Sequence, residues 1–393
     1  MFFDSLVGPP LQTNPSMGLY VSGLLMSSTD FKINSSGGGI AMFIRSRNDK
    51  GHQGETRRPG KKTSLSGRLS KILSMLLMAL VSLLLFGCSA QPKAEAFAFV
   101  TSLSGGTVEV IAASEHKIMT SVWVGSGPCQ VAITPDGSYI YVAHSGSEVS
   151  VLRTTDLSSV ALISGISPVG IDITPDGAFA YVVNRESNAI TVIRTSDYTV
   201  VTSVPVGKGP ESIAISPDGA HAYVTLFRDN SVSIISTSDN AVVATVPVGR
   251  GPSGLAIAPD GTFAYVSNHP GNSVSVIRTS DHKVVATVPG GGSPSIAITP
   301  DGRFVYAPSW NDNNVRVIRT SDNTVVTTIP VGITPNGVAI TPDGAYIYVT
   351  NYGSDTVSVI RAADNTVVAS INLAKPCRVT IGLVPVSAPT STK

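Results

Sequence analysis

The tripeptide Pro-Asp-Gly recurs six times, with its aspartate at Asp136, Asp176, Asp218, Asp260, Asp301 and Asp343 and spacings of 40, 42, 42, 41 and 42 residues. A period of that length marks an array of one small unit that buries its faces against its neighbours, so it constrains the fold more than any local motif. Each copy reads like Val338-Ala-Ile-Thr-Pro-Asp-Gly, Ala345-Tyr-Ile-Tyr-Val-Thr-Asn, Thr356-Val-Ser-Val-Ile and Thr366-Val-Val-Ala-Ser-Ile, four short runs rich in strand-forming residues. Pro-Asp-Gly suits the tight turns between them, because Pro presets φ and Gly tolerates a positive φ. Four strands in ~42 residues is the signature of a propeller blade. Two fragments complete a seventh unit. Pro376-Cys-Arg-Val-Thr-Ile-Gly supplies a first strand with no blade after it, while Phe97-Ala-Phe-Val-Thr, Thr107-Val-Glu-Val-Ile and Met119 to Val124 supply three strands with no first. The expectation is an all-β, seven-bladed β-propeller over residues 97–383, closed by one C-terminal and three N-terminal strands, with a flexible tail at 384–393. Such closure removes the open edge of a linear array. Only 13% of residues are charged, and 37 Gly and 26 Pro supply turns, which argues against coiled coils and helical bundles.

The tetrad Tyr348-Val-Thr-Asn351 and its relatives Tyr265-Val-Ser-Asn268 and Tyr181-Val-Val-Asn184 resemble the YVTN family of β-propeller repeats, found in bacterial and archaeal envelope and surface-layer proteins. The resemblance covers about residues 97–383 and implies the fold; propellers host binding, scaffolding and catalysis alike, so it implies no single activity. Repetition itself separates scaffold from site. Alternate aromatics in the second strand (Tyr139/Tyr141, Phe179/Tyr181, Phe263/Tyr265, Phe304/Tyr306, Tyr346/Tyr348) share one face and pack blade on blade, and His221 takes one of those core positions. Pro205, Pro247, Pro289 and Pro330 fall in the outermost strand, where a missing N–H discourages edge pairing. Arg194/Asp197, Arg278/Asp281 and Arg319/Asp322 read as hairpin chemistry between strands three and four.

Positions that diverge between copies are the candidates for function. After the tetrad come Leu103, Arg185, Phe227, His269, Trp310 and Tyr352, on loops that share one face of a propeller around its channel; large aromatics there suit either a contact surface or a cap on the blade below. After the recurring Pro come Cys129, Val169, Glu211, Ser253, Ser295, Asn336 and Cys377. Cys129 and Cys377 share a position in blades that are neighbours once the ring closes, so a disulfide between them would lock the closure; two small buried thiols is the alternative. Asp172 stands where other copies have Ala132, Ala214, Ala256, Ala297, Ala339 and Thr380. A carboxylate beside the channel must be hydrated, paired or protonated, and it suggests a site with Glu211, Arg185 and Arg228, or simply a water-filled channel.

Familiar catalytic sets are missing: there is no Gly-x-Ser-x-Gly elbow, Walker loop or Cys-x-x-Cys-His, and of six histidines only His144 and His269 fall on the divergent loops. No metal or other cofactor is expected. The expected function is a non-catalytic binding or scaffolding module, monomeric, for a protein, glycan or small-molecule partner, with Asp172, Arg185, Glu211, Phe227, Arg228, His269, Trp310 and Tyr352 as contact candidates. The rival is a lactonase- or lyase-like propeller enzyme in which Asp172, Glu211, Asn268, Asn336 and Asp312 converge on a divalent metal.

The net charge of +1 is an average over two segments: ten Lys and Arg against four Asp and Glu through residue 87, then seventeen against twenty-two. A negative, lysine-poor domain disfavours nucleic acid as a partner. The basic segment (Arg57, Arg58, Lys61, Lys62, Arg68, Lys71) leads into the uncharged run Ile72–Gly87, which is secretory-signal grammar and short of the ~20 residues that span a bilayer. Its end, Leu85-Phe86-Gly87-Cys88, resembles the bacterial lipoprotein box, which implies lipidation at Cys88, a signal at 65–87, a tether at 88–96, and a lipid-anchored envelope protein on the extracytoplasmic side, at the outer membrane in a Gram-negative cell. Residues 1–64 fit no such signal and suggest a misassigned start, with Met42 or a non-AUG codon at Leu65 as the true one. N-terminal sequencing of the unprocessed precursor checks this: peptides from residues 5–40 would show that the leader is translated.

Overall fold

In the computed structural model, which describes residues 33–35, 40–42, 94–145 and 148–385, each Pro-Asp-Gly turn is held by its own side chains. Thr174 Oγ1 donates to Asp176 Oδ1 (2.6 Å), and the Ala178 amide donates to the same oxygen (2.9 Å). Gly177 takes φ +72°, which an L side chain rarely adopts. These bonds hold the Asp176 carboxyl below the usual carboxylate range. The same arrangement recurs at Asp136, Asp301 and Asp343, so the period read from the sequence is one turn repeated.

Around those turns the chain forms seven four-stranded antiparallel sheets. Blade 3 is typical: Pro168–Ile173 innermost, then Phe179–Asn184, Ala189–Arg194 and Val200–Pro205 outermost. Blade 1 is the composite one, in which the last strand, Pro376–Pro385, pairs with the first, Ala94–Ser102, followed by Thr107–Ala112 and Lys117–Trp123. The pairing runs from Ala94↔Pro385 to Ser102↔Pro376. It therefore begins before residue 97 and ends after 383, because Ala94, Glu95 and Ala96 find partners in Pro385, Val384 and Leu383. Two compact units divide the chain, Met1–Leu85 and Phe86–Lys393. In the first, Ile33–Ser35 pairs with Ile40–Met42; the signal at 65–87, Cys88, the tether up to residue 93 and the tail from 386 lie outside the described residues.

Each blade contributes a second-strand Val, Ile or Ala and a fully buried aromatic to the interface with the next. Tyr141, Tyr181, Tyr223, Tyr265, Tyr306, Tyr348 and Phe99 are all 2% exposed or less. Their outer ends are latched by a residue of left-handed conformation in the next blade's strand-three-to-four turn. Tyr181 donates to Asn240 Oδ1 (2.8 Å), Tyr306 to Asn365 Oδ1 (2.8 Å) and Tyr265 to Asn323 Oδ1 (3.3 Å). Tyr348 Oη lies 2.7 Å from His116 Nδ1, and the Tyr223 ring packs against His282 at 6.5 Å. Blade 1 has Phe99, with no hydroxyl, and there the latch residue is Leu157, in the same apolar cluster. Donor and acceptor have been replaced together. His221 sits in the packed position read from the sequence, its ring 6.2 Å from that of His282. The Arg-Asp hairpins form as expected, at 3.0, 2.7 and 2.9 Å, and the four prolines end their outermost strands.

The latch makes a specific prediction. Tyr306→Phe should cost about 1 kcal/mol in urea unfolding. Phe99→Tyr should destabilise by about 1–3 kcal/mol, because Leu157 leaves the new hydroxyl unpaired, and Phe99→Tyr with Leu157→Asn should recover most of that loss. Simple additivity of the two substitutions would contradict the latch.

Candidate functional site

Loops between strands two and three, and between blades, open on one face; the Pro-Asp-Gly turns and the latches lie on the other. The tetrad asparagine belongs to the scaffold of the loop face. Asn351 Nδ2 donates to Thr356 Oγ1 (3.1 Å) and Ser358 Oγ (2.9 Å), and Asn268 does the same with Ser273 and Ser275. His144 takes this position in blade 2, fully buried, with Nε2 2.8 Å from Ser150 Oγ. Where the asparagine is a serine, the third strand carries a charge instead. Glu109 accepts from Thr107 and Ser121 (2.8 Å each) beside Ser102, and Arg316 donates to Asp312 (3.2 Å) beside Ser309.

Four of the eight sequence candidates come together. Arg185, Glu211, Phe227 and Arg228, with Gly209, line a cleft of about 260 Å³ between blades 3 and 4. Arg185 Nη2 donates to Glu211 Oε2. The Arg185 side chain is 46% exposed against 19% for Glu211, so the guanidinium keeps a solvent-facing edge while it anchors the acid. Arg228 is exposed and has no ion-pair partner among the described residues. Its stem packs over Gly209, whose φ of +66° and missing Cβ make room for it: a Cβ there would lie 2.9 Å from Arg228 Cγ. Phe227 is 38% exposed and forms an apolar wall.

The other aromatics are engaged. The His269 ring packs against Trp310 at 5.5 Å, and Lys375 Nζ lies 5.2 Å over the Tyr352 ring. All three are partly buried, which favours the cap over the contact surface for these positions and leaves the cleft as the open part of the face.

Asp172 does not join the cleft. Its Oδ1 accepts from the Ile173 amide (2.9 Å) and its Oδ2 from the Ile215 amide of blade 4 (2.8 Å), so it staples two innermost strands near the turn face. Glu211 lies four residues before Ile215 in the same strand, about 13 Å away along it, and the grouping of Asp172 with Glu211, Arg185 and Arg228 is thereby corrected. The Ile173 and Ile215 amides hold the carboxylate. Burial pushes its pKa up to about 6, against the two amide bonds, which act to lower it. Nor do the oxygens of the metal reading converge. Glu211 pairs with Arg185, Asp312 with Ser309 and Arg316, Asn336 with Arg378, and Asn268 with its own blade. Among the described residues no three His, Cys, Asp or Glu side chains are placed to hold a metal ion.

Cys129 and Cys377 are both free thiols in the structure. Two further residues of this face carried no signal in the repeat reading. Arg378 donates from Nη1 to the Asn336 carbonyl (3.1 Å) and Oδ1 (2.9 Å) across neighbouring innermost strands. Lys375 takes a positive φ of 44° just before the recurring Pro, where Gly127, Gly209 and Gly251 are also left-handed; a lysine in a glycine position was the signal available.

Asp172 generates a pH prediction. A carboxyl whose folded pKa is raised to about 6, above the ordinary ~3.9, binds more protons folded than unfolded. Its stabilising contribution is complete below about pH 4 and is lost as the pH rises through about 6. Asp172→Asn should therefore flatten the pH dependence of urea unfolding between pH 4.5 and 7.5, with the wild type losing at most about 2 kcal/mol relative to the variant across that window. Parallel profiles would contradict the assignment.

The family described as "Lactonase, 7-bladed beta-propeller" matches residues 198–324 and 239–370, and that described as "Choice-of-anchor I domain" matches residues 89–251. Among solved structures, the chain is similar to hydrazine synthase of Kuenenia stuttgartiensis (22% identity, TM-score 0.59), over 66% of this chain and 96% of that one. It is also similar to a functionally unknown protein of Desulfotomaculum acetoxidans (19%, TM-score 0.65, 74% and 99%). A third is a putative 6-phosphogluconolactonase of Bacteroides fragilis (19%, TM-score 0.63, 73% and 98%). At these identities the likeness is one of fold. No curated protein matches the chain. The closed ring of seven four-stranded blades makes the chain a seven-bladed β-propeller, and the lactonase propeller family matches it over residues 198–370.

Proposed function

We propose that the chain is a binding module of the bacterial cell envelope, anchored by lipid at Cys88, whose working site is the cleft between blades 3 and 4. The observation that carries this reading is convergence: Arg185, Glu211, Phe227 and Arg228 line one cleft of about 260 Å³, while Asp172 lies apart on the Ile173 and Ile215 amides, His269 packs on Trp310 and Tyr352 lies under Lys375. A guanidinium with no ion pair among the described residues, a second one with a solvent-facing edge, and an exposed aromatic wall suit a small ligand that joins a negative charge to a flat apolar surface. The anchor fits this use of the loop face. The described domain begins at Ala94, paired with Pro385 on the turn face, and the few residues from Cys88 reach at most ~20 Å, so a lipid there would present the loops away from the bilayer.

The lactonase match favours a second reading, in which the same arginines hold the acidic group of a sugar lactone and Glu211 directs water to the ring. The two readings part in one experiment. Purified protein is titrated with uronic and aldonic acids and with the corresponding lactones, with melting temperature and lactone consumption both followed. The binding reading expects a stabilising shift with the acids, weakened at least ~10-fold in concentration dependence by Arg185→Ala or Arg228→Ala, and lactone loss at the uncatalysed rate. Turnover abolished by Glu211→Gln would establish the enzyme. A shift unaltered by either arginine variant would remove the cleft from both.

A further inference from the structure

The ring is closed by hydrogen bonds and packing alone, with Pro376–Pro385 laid against Ala94–Ser102. Cys377 is the second residue of that closing strand, and Cys129 is the second residue of blade 2's innermost strand, Pro128–Ile133. They hold equivalent positions on the two innermost strands that flank the junction between the composite blade and its neighbour, and those strands are close, since a Cβ on Gly382 would lie 2.6 Å from Ile133 Cδ1. Equivalent side chains on adjacent innermost strands are in reach: Asn336 Nδ2 of blade 7 lies 3.5 Å from Cys377 Sγ. The strands themselves are close, since a Cβ on Gly337 would lie 2.9 Å from the Cys377 carbonyl oxygen and 3.0 Å from Arg378 Cα.

Cys129 Sγ points forward to blade 3, 3.8 Å from the Pro168 carbonyl, with the Ala143 carbonyl at 3.4 Å. The same geometry one blade back aims Cys377 at the Pro128–Cys129 peptide. Burial pushes the Cys129 thiol up to about 11, and charge on Cys377 adds to that in the same sense. The Arg378 guanidinium acts on both in the opposite sense.

We propose that Cys129 and Cys377 form a redox latch, open in the dithiol state described above and closed as an Sγ–Sγ bond that fastens the C-terminal strand to blade 2. In the closed state Cys129 Sγ leaves the Pro168 carbonyl for Cys377 Sγ. In the reaction the two thiols lose two protons and two electrons to a disulfide oxidant, which is reduced to two thiols; a mixed disulfide on one cysteine is resolved by the other. Burial keeps the thiols protonated, so the latch is inert until such an oxidant engages it. The closed state ties residue 377 to residue 129, and so restrains the strand whose departure would open the ring.

The test uses the full chain carrying Cys88→Ser, because the sequence has three cysteines and only this pair should then count. Serine already occupies the equivalent position of blade 5, as Ser253, so Cys129→Ser and Cys377→Ser variants should fold. The latch predicts two titratable thiols after dithiothreitol and none after equilibration with oxidised glutathione, with a non-reduced peptide map joining Cys129 to Cys377. It also predicts a melting temperature higher by ~5 °C or more in the oxidised form, reversed by dithiothreitol and absent in either serine variant. Two thiols surviving oxidation, stable glutathione adducts on each cysteine, or a cross-linked form that melts no higher than the reduced one would each overturn the proposal.

Discussion

Everything in this molecule depends on the backbone pairing of its two chain ends. Blade 1 exists only when Pro376–Pro385 is in register with Ala94–Ser102, and without it the array would have an unpaired second strand at one end and a lone strand at the other. Propeller blades bury their faces only against neighbours, so the last interface formed holds all seven. That dependence explains why the closing strands are the longest in the domain, at nine and ten residues where the others have seven or fewer.

A closed ring divides the labour between its two faces. The turn face is the more regular one, with Thr-Pro-Asp-Gly in blades 2, 3, 6 and 7, Ser or Ala in place of Thr in blades 4 and 5, and buried aromatics that meet the next blade's strand-three-to-four turn. The loop face is held by the tetrad asparagine or its substitutes, and it is where chemistry is free to vary. Blades 5, 6 and 7 use that freedom to cover themselves: His269 packs on Trp310, and Lys375 on Tyr352. Between blades 3 and 4 it leaves a cleft in which Arg185 holds Glu211 and Arg228 has no ion pair among the described residues. Side chains that answer one another mark scaffold; a charge left unanswered beside an open wall marks a place for a ligand.

The repeat period, the alternating aromatics and the orphan strand at Pro376 were legible in the sequence because β structure has a fixed period of two and a closed array has to balance its strands. The paired loss of the Tyr hydroxyl and the Asn carbonyl at Phe99 and Leu157 was also present, but it is visible only once the neighbour of each blade is known. The Arg185–Glu211 pair was half legible: both residues fell on the divergent face, and only the packing of blade 3 on blade 4 brings them together. Asp172 was misplaced because an anomaly in the repeat says that a residue differs and not at which end of a strand it lies; a rise of ~3.3 Å per residue separates it from Glu211. Arg378 escaped notice because its partners, the Asn336 carbonyl and side chain, belong to a strand that precedes it by one whole blade.

The central claim is that ligand contact is confined to the junction between blades 3 and 4. Hydrogen exchange of the purified chain, with and without a saturating uronic or aldonic acid, tests it most directly, because every loop and turn reports separately. The account predicts added protection at residues 185–188, 207–211 and 227–230, with the Pro-Asp-Gly turns and the loops carrying Trp310 and Tyr352 unchanged. Protection spread evenly over the loop face, or centred on the Trp310 and Tyr352 loops while the cleft exchanges as before, would contradict it.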